Sequence, residues 1–207
     1  GVFAKAEMSP RQFQPEQLER LYEVARSIHA SLEPGEALQW LVQESVQLVG
    51  ATSGSLALVN PTSGLLEIEA AVGLPEAASS LTLRLGEGIT GWVVQHGLPL
   101  RIGDVTADDR YITARADVRS ELAVPVNMDD EVRAVLNVDS ERADAFSETD
   151  QLLLEELARH ATQVIRNTWL YEQHRQRSEL LRSLVSVGQT INSALNLDDM
   201  LEVITRE

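Results

Sequence analysis

Between Pro15 and Leu32 the apolar residues Leu18, Leu21, Tyr22, Ala25, Ile28 and Leu32 recur at steps of three and four, the stripe of an amphipathic helix. The Glu-Pro-Gly triplet at 33–35 interrupts the period. Leu38, Leu41, Val42, Val46 and Val49 then restart it up to Gly50, a residue suited to a left-handed C-terminal cap. Beyond Gly50 the period changes to two. "SGSLALV" and "LLEIEAAV" flank the turn-forming "NPTSG", and in the second run Leu66, Ile68, Ala70 and Val72 alternate with Glu67 and Glu69. "SLTLRL", "PLRI", "ELAVPV" and "VRAVLNVD" supply four more short strands, the last two joined by the polar turn "NMDDE". Six strands of antiparallel pattern bracketed by helices predict an α+β fold with the helices packed on one face of the sheet.

A helical pattern returns after "FSETD", where Ser147 and Asp150 have capping-box spacing ahead of Leu153, Leu154, Leu157, Ala161, Val164 and Ile165. No Gly or Pro follows until Gly188, so a continuous helix would reach about 60 Å at roughly 1.5 Å per residue. Its middle, "EQHRQRSE" at 172–179, is polar on every side, which predicts a solvent-bridging connector. Leu157 and Val164 are the expected dimer face of this helix. An internal repeat sets the organisation. Leu21 to Glu44 lies over Leu184 to Glu207 without gaps, matching Leu21 with Leu184, Val24 with Val187, Ile28 with Ile191, Leu32 with Leu195 and Leu38 with Leu201. The offset of 163 residues is one module, so residues 184–207 read as the start of a second copy.

Composition narrows the chemistry. A net charge of −15 with Lys5 the single lysine opposes approach to phosphate backbones, so no nucleic-acid partner is expected. No apolar run of membrane-spanning length and no secretory leader is visible, so the expected setting is cytoplasmic with no membrane contact in this segment. The absence of cysteine removes disulfides, thiolate metal sites and a cysteine nucleophile. His29, His96, His160 and His174 stand far apart, without metal-ligand spacing, so no metal is expected.

Gly86, Gly88 and Gly91 spell G-x-G-x-x-G, with Asp104 eighteen residues after the first, which is the lettering of a dinucleotide-binding turn. The context contradicts it. The preceding strand alternates instead of being continuously apolar, the helix "ITGWVVQ" is closed by Gly97 and Pro99 after about two turns, and the strands that follow are hairpin-like. The order "GEGITGWVVQHGLPLRIGDVTADDRY", "SELAVPV" and "VLNVDSERADAFSETDQLLLEELARHATQVI" resembles the GAF domain, a ligand-binding and dimerising sensory module, over about residues 36–168.

That resemblance implies a six-stranded antiparallel sheet with helices on one face, a small-molecule pocket on the other, and long terminal signalling helices. It divides the chain into an irregular arm at 1–14, a signalling helix at 15–35, the GAF domain at 36–168, and a linker helix with a truncated second repeat at 169–207. It implies a cytoplasmic sensor that homodimerises through its terminal helices and regulates an output domain outside this segment, such as a histidine kinase. The alternative is a ligand-free dimerisation module; an enzyme ranks below both, since no activated nucleophile or acid–base pair is visible. No cofactor is identified. Of the pattern shared by cyclic-nucleotide-binding members, Asn137, Phe146 and Asp150 match, whereas Val138 stands for the lysine and Gln151 for the final acid, so the lysine–aspartate pairing cannot form. His96, the one histidine near the pocket elements, reads as a helix cap and not as a haem ligand. The expected ligand-binding residues are Gly88, Gly91, Trp92, Arg101, Asp104, Tyr111, Arg119 and Asn137. Gly88 and Gly91 open a helix N-terminus, Trp92 offers a stacking surface, and Arg101, Arg110, Arg115 and Arg119 concentrate positive charge around Tyr111, which favours an anionic ligand.

Overall fold

The computed structural model describes residues 13–30, 34–75, 78, 81–113, 115–167, 179 and 181–187. Two compact units divide the chain, Gly1–Arg166 and Asn167–Glu207. In the first unit the period-two stretches become β1 (Ser53–Val59), β2 (Leu66–Val72), β3 (Thr82–Leu83), β4 (Leu100–Ile102), β5 (Ser120–Met128) and β6 (Glu131–Ser140). All their pairings are antiparallel, in the order β3-β2-β1-β6-β5-β4. The predicted α+β class therefore holds, with a single six-stranded sheet.

The helices follow their sequence signals. α1 spans Pro15–Ala30 and α2 spans Pro34–Leu48, so Pro34 and Gly35 of the Glu-Pro-Gly triplet open the second helix, and Gly50 takes the left-handed conformation, φ 62°, that its position after α2 demands. α3 (Gly88–His96) ends on Gly97, φ 65°, whose N–H donates to the Val93 carbonyl at 2.8 Å. α4 runs from 148 to the unit's last residue, 166. Its start carries the reciprocal cap: Ser147 N–H donates to Asp150 Oδ2 at 2.8 Å, and Asp150 N–H to Ser147 Oγ at 3.2 Å.

Alternation along the strands sorts side chains onto two faces. Leu56, Leu122, Val124, Leu136 and Val138 are fully buried on one. There α2 packs on β1 and β2, and Gly54 permits the approach, since a Cβ at that position would lie 2.9 Å from the Val46 side chain. The stripe of α4, Leu153, Leu154, Leu157, Ala161, Val164 and Ile165, is buried in the same unit, and Thr162 Oγ1 donates to the Asn127 carbonyl of β5 at 3.1 Å. Leu157 and Val164 are core residues of the protomer. Their assignment as a dimer face is corrected, because Leu157 has no accessible surface left for a partner.

The opposite face carries α3, whose Ile89 and Val93 pack with Val105, Val118, Ala123 and Val135. In the second unit the described residues 181–187 are helical, with Leu181, Leu184, Val185 and Val187 exposed. Most of the N-terminal arm, the polar stretch at 172–178 and the rest of the repeat lie outside the described residues. No helix among the described residues is long and apolar enough to cross a membrane.

Candidate functional site

On the α3 face the alternation of three adjacent strands delivers polar groups where apolar ones would be expected. β1 contributes Ser53 and Ser55, β6 contributes Asn137 and Asp139, and β5 contributes Glu121; all five are buried. Register places them in two rows. Ser53 pairs with Asp139, which pairs with Glu121; Ser55 pairs with Asn137, which pairs with Ala123. Ser55, Glu121, Asn137 and Asp139 form the floor of a cavity of about 80 Å³. Leu66 and Ile68 of β2 line one wall, the first turn of α3 another, and Tyr111, Ile112 and Arg115 of the loop before β5 a third.

Hydrogen bonds hold the floor in place. Ser55 Oγ donates to Asn137 Oδ1 at 2.5 Å and Ser53 Oγ to Asp139 Oδ2 at 3.1 Å, while Asn137 Nδ2 reaches Glu121 Oε1 at a long 3.4 Å. Burial pushes the Asp139 carboxyl up to about 6, against the bonds from Ser53 and Asn137 and the nearby Arg115 charge, which act in the other direction. Glu121 is raised well above the carboxylate range, first by desolvation and then by the Asp139 charge. Tyr111 is held up at about 12 by burial and by those same two carboxylates, so it keeps its proton. Its hydroxyl donates to the Arg115 carbonyl at 3.3 Å.

The structure brings together three of the eight expected site residues. Gly88, Tyr111 and Asn137 line the cavity, whereas Gly91, Trp92, Arg101, Asp104 and Arg119 do not. Gly91 serves packing: a Cβ there would sit 2.6 Å from the Arg84 carbonyl oxygen and 3.1 Å from the Gly86 nitrogen. Because both are backbone atoms, Gly91→Ala is expected to cost roughly 1–3 kcal/mol in urea unfolding, and a variant as stable as the parent would contradict that role. Trp92 packs against the Ile89–Val93 cluster, stacks on His96 with centroids 4.0 Å apart, and lies 5.1 Å from the Arg110 guanidinium carbon. His96 Nδ1 is 2.9 Å from the Trp92 carbonyl, the geometry of a side chain closing a helix end.

The arginines disperse. Arg101 donates to the Phe146 carbonyl, Arg110 pairs with Asp108, and Arg119 pairs with Asp104 at 2.9 Å. Asp104 also accepts the Thr106 N–H at 3.0 Å, and these bonds hold its carboxyl down at about 2. Only Arg115 of the four lines the cavity, and Asp117 and Glu141 already hold it at 2.6 and 2.9 Å. Arg119→Ala is accordingly expected to leave both the urea midpoint and any occupancy of the cavity unchanged, because the Arg119–Asp104 pair is solvated. Loss of ligand binding in that variant would restore Arg119 to the site.

Glu121 and Ser55 were not among the expected residues. The signal for them is the spacing of two between polar residues inside strands, Ser53-x-Ser55 and Asn137-x-Asp139, which marks one polar face on otherwise apolar strands. Among the described residues no three acidic or histidine side chains are grouped to hold a metal.

A family model for the GAF domain matches residues 31–166. The chain belongs to the GAF family. Over 128 residues the chain is 27% identical to the Nif-specific regulatory protein of Azotobacter vinelandii, covering 58% of this chain and 24% of that one, so the chain spans about a quarter of that relative's length. Among solved structures, the GAF domain of an Acinetobacter phosphoenolpyruvate-protein phosphotransferase superposes with TM-score 0.71 at 22% identity, covering 76% of this chain and 97% of that one. The free methionine-R-sulfoxide reductase of Neisseria meningitidis, in complex with its substrate, superposes with TM-score 0.68 at 25% identity, covering 76% and 92%. The GAF fold thus occurs both in regulatory proteins and in enzymes acting on a small molecule.

Proposed function

We propose that this GAF domain is a cytoplasmic sensory module that binds a small molecule in the cavity floored by Ser55, Glu121, Asn137 and Asp139 and passes its occupancy to an output domain outside these residues. The observation that carries this reading is the polar floor: buried carboxylates, an amide and hydroxyls cost stability and serve no packing purpose, the mark of a binding site maintained against stability. The similarity to a regulatory protein supports the sensory role, and a histidine kinase or a transcriptional regulator is the kind of output expected. A catalytic role ranks lower, since the chain has no cysteine to serve as a thiolate nucleophile.

A physical route for the signal leaves the floor along β6. Asp139 is followed by Ser140, whose carbonyl accepts the Arg119 N–H at 2.8 Å; Ser120 Oγ donates to the Arg142 carbonyl at 2.7 Å; and the cap of α4 begins at Ser147. A ligand that binds two arrangements of α4 unequally shifts their populations by that difference in affinity. A homodimer joined through the terminal helices would carry the shift onward.

Native mass spectrometry of the gently purified protein, followed by thermal-shift screening of small molecules of each charge class, tests the reading. A co-purified or stabilising small molecule whose effect disappears on substituting the cavity floor is expected. Flat responses throughout would favour the ligand-free dimerisation module.

A further inference from the structure

The cavity floor holds more negative charge than its own surroundings neutralise. Glu121 and Asp139 are direct cross-strand partners on β5 and β6, which brings their Cβ atoms to about 5 Å. Each is at least nine-tenths buried. The one hydrogen bond to Glu121 from the described residues is the long 3.4 Å contact from Asn137. Asp139 receives neutral donors, the Ser53 hydroxyl at 3.1 Å and the Asn137 side chain. Arg115 is the one cation among the described lining residues, and Asp117 and Glu141 already claim its guanidinium. Asp108, the next carboxylate toward Glu121, is held by Arg110. Above this charged floor the walls are apolar, formed by Leu66, Ile68 and Ile89. A bare inorganic cation would satisfy the floor and leave those walls unused; an anion would meet like charge.

We propose that the cavity takes a small organic ammonium, its cationic head between Glu121 and Asp139 and its apolar substituent against Leu66, Ile68 and Ile89. The inference rests on the reading of this cavity as a ligand site. A buried carboxylate pair whose neighbouring cation, Arg115, is already shared with Asp117 and Glu141 is completed by a ligand that brings one charge and two or three N–H donors. Binding is also linked to protons. In the empty site the pair retains a proton in mildly acidic solution, and an ammonium must displace it, so affinity rises between about pH 5 and about pH 8. The charged and titratable groups facing the pair are Arg115, Tyr111 and Asp108, with Asp117 and Glu141 behind Arg115. The described residues of β2 and of the first turn of α3 that line the cavity carry no charge, so the linkage belongs to the pair.

The test is titration of the intact chain, followed by two-dimensional amide NMR, with n-butylammonium chloride, n-butanol and sodium butyrate at matched ionic strength, and with sodium and calcium chloride alone. The expected result is that butylammonium shifts cavity resonances such as those of Ile68, Ile89 and Tyr111. Butanol and butyrate are expected to bind more weakly, and Glu121→Gln and Asp139→Asn each to weaken butylammonium by about tenfold or more. Because the polar variants alter the floor, the pH dependence of butylammonium binding to the unsubstituted protein is a second readout. Weakening as pH falls from about 8 to about 5 supports the proposal, and affinity independent of pH overturns it. Butanol or butyrate binding as well as butylammonium, or inorganic cations producing the same shifts, overturns the ammonium assignment while leaving the ligand site intact. No response to a probe of any charge overturns both.

Discussion

Asp139→Asn is more stable than the parent at pH 8, and the advantage shrinks as pH falls, closing only at about pH 4. In the parent, Asp139 titrates at about 6 against an ordinary 3.8, because the folded chain removes the carboxylate from water. A group whose pKa rises on folding stabilises the native state fully at pH below its unfolded value, and that contribution is lost as pH climbs through the folded value. For Asp139 the loss falls between about pH 4 and pH 7 and amounts to about 3 kcal/mol. Asparagine keeps an oxygen for the Ser53 hydroxyl and carries no charge to desolvate. Glu121 is shifted in the same direction and adds to the slope. On the acid side the order reverses: Asp104, at about 2, and Asp108 and Asp117, also held low by their arginines, lose their favourable ionised state as pH falls. The parent therefore has a stability maximum in mildly acidic solution. Urea midpoints at several pH values for parent and variant measure this directly, and equal midpoints at pH 8 would show that the floor carboxylate is not desolvated as described. The same substitution removes one half of the proposed ammonium site, so greater stability and lost binding should appear together.

The layered fold was legible because its determinants are local. Alternation located all six strands, and the caps at Gly50, Gly97 and Ser147 lie where glycine or capping-box spacing placed them. Even the G-x-G-x-x-G lettering was correctly refused by its neighbours; the glycines let a turn close against backbone, with Gly86 N–H donating to the Gly91 carbonyl at 2.9 Å. The site was legible only in part, since it is built by register. Glu121 meets Asp139 only because β5 and β6 pair across the tight turn at Asp129 and Asp130, both at positive φ, with an irregularity between Val126 and Asn127. A slip of one residue would turn Glu121 to the other face. The arginines misled for the opposite reason. Counting them predicted a positive patch, but Arg110 and Arg115 each find an aspartate two residues away, at Asp108 and Asp117, so the charge is cancelled locally. Net charge along a segment does not give the field at a cavity. That field depends on which partners each group has already taken.

Leu157→Glu abolishes the folded state, whereas Tyr22→Glu leaves its stability unchanged, and the contrast separates core from partner surface. Leu157 is fully buried among Leu153, Leu154 and Ala161 on the inner stripe of α4, so glutamate there buries an unpaired carboxylate in place of an aliphatic group. The cost exceeds about 4 kcal/mol, enough to unfold a domain of ordinary stability. Loss of the cooperative urea transition and of the helical circular-dichroism signal measures it, and a folded Leu157→Glu chain would contradict the placement of α4. Tyr22 has 76% of its surface exposed on α1. Changing it alters no buried contact, and stability should stay within about 0.5 kcal/mol. If the proposed homodimer forms through the terminal helices, a large aromatic left open on α1 is where a partner gains most from covering it. Sedimentation of Tyr22→Glu should then report a folded monomer, and an undiminished dimer would move the interface away from this face of α1. An oligomeric change in Leu157→Glu would carry no such information, because the helix that presents any interface would itself have lost its packing.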